Sequence, residues 1–180
     1  MTNKDVKIDL SASQQVNNWL QNFDQALRVK DIDKAVDCFE TDGYWRDLVS
    51  FTWNIKTLEG HAEIKEMLLH TLENTEPSDW LIDEEATEDQ GVIEAWVTFN
   101  TKVAHGRGHL RLRNGKAWTL LTTMTELKDF PEKRKKLRPK GAEHGANPTG
   151  LTWVEKRQLE EKNLGDSEQP YCVIIGGGQG

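Results

Sequence analysis

The sequence has few cysteines, no long apolar run and fewer basic than acidic residues, and each shortage excludes a class of protein. Two cysteines in 180 residues, Cys38 and Cys172, are too few for a disulfide framework or a cysteine zinc site. No apolar run reaches the ~18–20 residues that cross a bilayer, and the N-terminus lacks the apolar segment of a signal peptide. A pI near 5.3 argues against general nucleic-acid binding. We therefore expect a cytoplasmic protein with no membrane or nucleic-acid partner and no bound metal.

Aromatic residues, by contrast, are plentiful enough for a core: seven Trp and five Phe. Apolar side chains that recur at helical spacing between residues 13 and 28 predict an amphipathic helix. The stripe consists of Val16, Trp19, Leu20, Phe23 and Leu27. Shorter stripes predict a second helix, capped by Asp31, and a third helix over about residues 61–72.

Alternating apolar residues predict strands at 44–53 and from residue 80 to 127. Asn114-Gly115 is the typical sequence of a tight hairpin turn between two of these strands. That turn predicts a register in which Arg111 lies opposite Trp118, His109 opposite Leu120, and Arg107 opposite Thr122. The predicted class is α+β, with three helices on one face of an antiparallel sheet.

The composition changes after residue 127. Residues 128–140 are rich in basic side chains and contain two prolines, which predicts a boundary near residue 130 and a linker to about 169 that includes a short helix at 151–164. Residues 171–175 are apolar like a buried parallel strand, and a glycine-rich turn follows. Gly176 and Gly178 fill the first two positions of the dinucleotide-binding pattern G-x-G-x-x-G. The alternative is a flexible glycine tail.

Several segments together resemble one family. Residues 19–27, 42–60 and 108–124, followed by residues 138–141 and 153–157, are similar to the N-terminal extension of certain bacterial and fungal flavin-dependent monooxygenases. That extension resembles the SnoaL-like, nuclear transport factor 2-like cone fold, in which three helices pack on a curved antiparallel sheet. The resemblance implies a cone domain at 1–129, a basic linker at 130–169, and the truncated start of an FAD-binding domain at 170–180.

The resemblance also implies cofactors and partners. A monooxygenase parent would bind FAD, of whose contacts only Gly176 and Gly178 fall in this sequence, and would take hydride from NADPH. The fragment itself would bind neither cofactor and would be inactive alone. It would form a homodimer through its sheet, as related cone domains commonly do, or dock on the missing flavin domain.

An alternative function is catalysis in the cone itself. Asp47 lies in sequence beside Trp45 and Phe51, where an apolar setting could raise the pKa of a carboxyl and make it a base. With His105 as its partner, Asp47 would serve an isomerase or a dehydratase. The competing interpretation is structural: Asp42 caps a turn, and Asp47 forms a surface ion pair with Arg46 or Lys56.

Five basic residues share one face of the strand at 105–113, namely His105, Arg107, His109, Arg111 and Arg113. On this face Arg111 is expected to lie over the Trp118 ring in a cation–π contact. Facing inward the five residues would form an anion pocket, and facing outward they would form a surface that docks the flavin domain. Aromatic residues indicate a third function, the binding of a small hydrophobic or anionic ligand. The pocket candidates are Tyr44, Trp45, Phe51, Trp53, Trp96 and Trp118.

Overall fold

The computed structural model of the protein describes residues 10–138 and 150–163. The chain divides into two compact units, Met1–Lys133 and Arg134–Gly180. The predicted strand and glycine turn at 170–180, with Gly176 and Gly178, lie outside the described residues. None of the helices in the described ranges is long and apolar enough to cross a membrane.

Three helices of the first unit confirm the predicted periodicity. They are α1 (Ala12–Arg28), α2 (Ile32–Asp37) and α3 (Gly60–Thr75). Ser11 begins α1 with a capping box, in which its hydroxyl accepts from the Gln14 backbone N–H and the Gln14 side chain accepts from the Ser11 N–H. Asp31 caps α2 as predicted, because its carboxylate accepts from the Lys34 N–H.

Within residues 10–138, seven strands form one open sheet. They are β1 (Phe39–Leu48), β2 (Ile55–Glu59), β3 (Ser78–Ile82), β4 (Thr87–Asp89), β5 (Val92–Asn100), β6 (Ala104–Arg113) and β7 (Lys116–Leu127). Their order is β2-β1-β7-β6-β5-β3, and β4 pairs with β5. Every pair is antiparallel except β1 with β7, which run parallel. The predicted α+β class is confirmed. The parallel pair was not predicted, because turn signals report only on strands that are neighbours in sequence.

The predicted register of the β6–β7 hairpin is wrong by one residue. Leu112 pairs with Ala117, but Arg111 pairs with Thr119, so Trp118 is the extra residue of a β-bulge. Beyond the bulge, His109 lies opposite Leu121 and Arg107 opposite Thr123, rather than Leu120 and Thr122.

Aromatic rings fill the space between the helices and the sheet. Phe23 of α1 makes edge contacts with Phe39, Trp45 and Trp80, and the Trp80 ring stacks on Phe99 with 4.4 Å between centroids. All five side chains are 5% exposed or less. These rings therefore fill the side of the sheet that faces the helices.

The second unit has little secondary structure in its described residues. A single turn of 3-10 helix covers Lys135–Leu137, and the helix predicted at 151–164 is confirmed as α4 (Trp153–Asn163), all of whose residues are exposed.

Candidate functional site

Asp47 is a fully buried carboxylate with no free oxygen. It shares the inner face of β1 with Trp45, as the alternation predicts, while Tyr44 and Arg46 are exposed. Its Oδ1 accepts from the Ser50 N–H and the Thr122 hydroxyl, and its Oδ2 accepts from the Phe51 N–H, at distances of 2.8–3.2 Å. The N–H and hydroxyl of Thr52 add two more bonds to Oδ2. These donors satisfy a buried charge without a cation.

The competing interpretation, a surface ion pair of Asp47, is wrong. Asp47 is 0% exposed, and the Arg46 guanidinium donates instead to the Thr57 hydroxyl at 2.8 Å. A role of Asp47 as a base stays a prediction. In the described conformation, both carboxylate oxygens accept hydrogen bonds from groups of the same chain. These bonds stabilise the loop after β1.

That loop, residues 49–54, carries backbone strain at both ends. Val49 has φ 61° and Trp53 has φ 53°, a left-handed conformation that is unfavourable for a β-branched or bulky residue. The Val49 N–H donates to the Asn54 carbonyl across the loop, and the Asp47 bonds fix the residues between them. In this loop conformation Trp53 is 65% exposed.

A cavity of about 300 Å³, here called the loop cavity, lies beside these residues. Loop residues 50–53 form one wall, and the last turn of α3 and the β5–β6 connection form the rest. Ser50 lines it and is 4% exposed, yet its hydroxyl has no hydrogen-bond partner among the described residues. Phe51 and Trp53 are the two predicted pocket residues that line this cavity.

The other pocket candidates lie elsewhere. Trp45 is buried in the core and donates from Nε1 to the Thr122 hydroxyl. Tyr44 is 40% exposed on β1, and Trp96 and Trp118 lie partly exposed on the side of the sheet away from the core. The structure therefore does not bring the six aromatic residues together around one pocket.

His105 is exposed on β6 and does not meet Asp47. Its neighbours Ala104 and Gly106 are buried, so His105 points away from the face on which Asp47 lies. Its Nδ1 is 2.7 Å from Asn100 Oδ1, and the Asn100 amide donates to Asp79 Oδ2 at 3.0 Å. This bond from Asn100, followed by a second bond from the Ser78 hydroxyl, lowers the pKa of Asp79.

The basic side chains of β6 face away from the core, which favours the outward alternative. We call this side of β5, β6 and β7 the outer sheet face, with Glu94, Trp96, Arg107, His109, Arg111 and Leu121 at its centre. Arg107 lies 4.3 Å over the Trp96 ring and pairs with Asp83 and Glu84 at 2.9 and 2.7 Å. The outer sheet face therefore displays positive charge, negative charge and an indole ring.

The predicted contact of Arg111 with Trp118 is wrong, because the bulge shifts the strand. Arg113 lies over the Trp118 ring instead, 4.1 Å from its centroid, and donates to Glu40 at 3.0 Å. Arg111 Nε lies 2.9 Å from Glu94 Oε1 as an ion pair without the alignment of a hydrogen bond.

A wider groove that the sequence analysis missed runs along α1. It has a volume of about 590 Å³ and is lined by α1, α2 and the β6–β7 turn. The Trp19 indole donates to the Cys38 carbonyl at 2.8 Å beneath it. Burial raises the pKa of the Cys38 thiol to about 11, so this thiol is neutral at pH 7. The side-chain amides Asn18, Asn22 and Gln25, spaced along one side of α1, are the sequence signal that marks this groove.

No protein family model and no curated protein matches the sequence. Solved structures do match it. A ketosteroid isomerase-like protein from Erwinia carotovora atroseptica has a TM-score of 0.53 at 13% identity, over 66% of this chain and 99% of that protein. A protein of unknown function from Mycobacterium tuberculosis has a TM-score of 0.50 at 14% identity, over 65% of this chain and 73% of that one.

The fold is that of the nuclear transport factor 2-like proteins. This confirms the predicted cone of helices on a sheet. The orange carotenoid protein of Anabaena (Nostoc) sp. PCC 7120, solved with canthaxanthin, is also similar, with a TM-score of 0.49 at 15% identity over 59% of this chain. The chain spans 35% of the length of that protein.

In this nuclear transport factor 2-like fold the interior is occupied. Buried apolar side chains and the Asp47 network fill the side of the sheet that faces the helices; the loop cavity lies beside the loop after β1, and the wider groove lies beside α1. No group of three or more His, Cys, Asp or Glu side chains in the described part of the chain could hold a metal ion.

Proposed function

We propose that the first unit is a non-catalytic association module that forms a homodimer through its outer sheet face. One observation carries this proposal: buried apolar side chains close the inner face of the sheet, whereas the helices described in the first unit leave Trp96, Leu121 and a row of arginines on the outer face partly exposed. A partly exposed Trp with Arg beside it is typical of residues that contribute most to protein interfaces.

The distribution of charge favours a second copy of the chain as the partner. Arginines run along β6, and acidic side chains flank them on both sides, with Glu94 on β5 and Glu40 on β1. A two-fold dimer places the same patch on both subunits, so the patch must be complementary to itself. A face that carries both signs of charge meets that requirement, whereas a face of one sign would repel its copy.

We propose further that the module belongs to a flavin-dependent monooxygenase and docks on its flavin domain. The support is the resemblance of residues 19–27, 42–60 and 108–124, together with the glycine pattern at 176–180. FAD reduced by NADPH would supply the oxygen chemistry in such a parent. Gly176 and Gly178, which would approach the FAD pyrophosphate, lie outside the described residues. The contribution of the outer sheet face to such a parent would be association.

Sedimentation equilibrium of the 180-residue chain tests the association. We expect a mass twice the 20.6 kDa of the chain at micromolar concentration. A single species at 20.6 kDa up to the highest concentration reached would overturn the homodimer.

An immunoblot of source cells with an antibody against the first unit tests the parent. A band well above 20.6 kDa is the expected result, since a flavin domain would follow this segment. A band only at 20.6 kDa would overturn the monooxygenase parent and leave the association proposal standing.

A further inference from the structure

We propose that the loop cavity binds a neutral, single-ring phenol, with the ring against the Trp53 indole and the phenol hydroxyl bonded to the Ser50 hydroxyl. This inference does not depend on association through the outer sheet face. It rests on the Ser50 hydroxyl, which has no partner among the described residues, on the exposed Trp53 indole, and on the size and charge of the cavity.

The Ser50 hydroxyl is the polar group that a ligand would satisfy. Ser50 is 4% exposed, and its Oγ has no partner among the described residues. Other hydroxyls that line the cavity are bonded within the chain: Thr71 donates to the Met67 carbonyl and Thr75 to the Thr71 carbonyl. Native proteins seldom leave a buried hydroxyl without a partner, so the exception in a cavity wall indicates a position where a ligand completes the bond.

Trp53 supplies an aromatic surface that the described residues leave largely exposed. Its indole is 65% exposed, although a Trp is normally buried to a large extent. The Trp53 backbone has a left-handed conformation, with φ 53°, which is strained for a bulky residue. The loop that holds it is fixed by the five hydrogen bonds that Asp47 accepts from loop residues and Thr122. A rigid indole at a cavity mouth favours a planar ring by stacking.

The cavity determines the size and charge of the ligand. About 300 Å³ is at the lower end of the range for ligand sites, so it accommodates one ring rather than a polycyclic molecule. Among the described residues that line it, none is Asp, Glu, Lys or Arg, and the polar side chains are uncharged amide and hydroxyl groups together with His70. A ligand that is neutral at pH 7 and carries one hydroxyl matches this lining.

Fluorine NMR of the full chain labelled with 5-fluorotryptophan tests the site. The Trp53 signal is assigned with Trp53→Phe, and p-cresol, toluene and 4-methylcyclohexanol are titrated separately. We expect p-cresol to shift the Trp53 signal with a Kd of ~1 mM, as befits so small a ligand, and to bind about tenfold more tightly than either analogue. Trp153, 71% exposed on α4, is the internal control, and its signal should stay in place.

Ser50→Ala is the decisive variant. It should reduce the affinity for p-cresol to that for toluene and leave toluene binding unchanged. The midpoint of urea unfolding should not fall, because the hydroxyl has no partner to lose among the described residues. Trp53→Leu, changed at an exposed side chain, should abolish the saturation-transfer signal of p-cresol. No shift of the Trp53 signal, equal shifts at Trp153, or an unchanged preference for p-cresol in Ser50→Ala would each overturn the proposal.

Discussion

Thr122 and Asp47 join the two parallel strands of the sheet through one buried hydrogen bond. The Thr122 hydroxyl donates to Asp47 Oδ1 at 2.8 Å across 75 positions of sequence, and the same hydroxyl accepts from the Trp45 indole at 2.9 Å. This contact connects β1, β7 and the loop after β1 in a single polar network. The network explains why a carboxylate is present in a mainly apolar interior.

Asp47→Asn should destabilise the protein markedly. An amide retains one acceptor oxygen but turns an NH₂ group toward N–H donors, so several of the five bonds to the carboxylate are lost or opposed. We expect the free energy of unfolding to fall by ~2–3 kcal/mol in urea denaturation, as is usual for hydrogen bonds to a buried charge. Asp42→Asn, changed at an exposed position, should stay within ~0.5 kcal/mol of wild type. Equal stability of the two variants would mean that Asp47 does not hold the loop.

The sequence predicts the helices and the strand faces well because those depend on local periodicity. The α1 stripe and the shared inner face of Trp45 and Asp47 follow from spacing alone. The Trp118 bulge does not, since one inserted residue leaves the alternation on each side intact while shifting every partner beyond it. The parallel pairing of β1 with β7 also depends on contacts between segments distant in sequence.

The candidate site was harder to predict for a similar reason. Ser50 gives no signal in sequence, because its importance lies in a missing partner that only the fold reveals. The sequence predicts His105 and Asp47 as a catalytic pair because both residue types carry out acid–base chemistry. The sheet places them on opposite faces.

Gly106→Ala should destabilise the sheet because the Phe99 ring lies directly over Gly106. A Cβ at this position would come within 2.3 Å of Phe99 Cζ. We expect a loss of ~1–3 kcal/mol, the usual cost of overpacking a core. Phe99→Leu removes the ring, so in that background the same Gly106→Ala change should cost clearly less. A cost that is the same in both backgrounds, measured by chemical denaturation, would mean that the ring is not the cause.

Cys38 should react slowly with a thiol reagent. Burial raises the pKa of the Cys38 thiol from its ordinary 9.0 to about 11. Two pKa units lower the thiolate fraction at pH 8 by roughly 100-fold, and the thiolate is the reactive form. In a Cys172→Ser background, Ellman's reagent should therefore react roughly 100-fold more slowly, or slower still, with the folded chain than with the urea-unfolded chain. Equal rates would show that the thiol is accessible and unshifted.

His109 should make the protein less stable as the pH falls below neutrality. Burial lowers the pKa of His109 below the usual 6.5; the Glu94 carboxylate opposes this shift, and the Arg111 charge adds to it. Because its pKa is lower in the folded chain, His109 binds a proton more tightly in the unfolded chain. Its contribution to the free energy of unfolding is therefore complete above pH 6.5 and is lost as the pH falls toward the pKa of the folded state. His109→Gln should flatten this decline when unfolding is compared between pH 7.5 and pH 5. An identical decline in the variant would assign it to other groups.

The outer sheet face is the centre of this account, and sedimentation equilibrium of two leucine variants tests it most directly. Leu121→Lys places a charge at the middle of that face, and Leu69→Lys places the same charge on α3, where Leu69 is 59% exposed. The account predicts that Leu121→Lys sediments as a 20.6 kDa monomer while Leu69→Lys keeps the mass of the wild-type dimer. A dimer that survives Leu121→Lys, or one that is lost in Leu69→Lys, would contradict it.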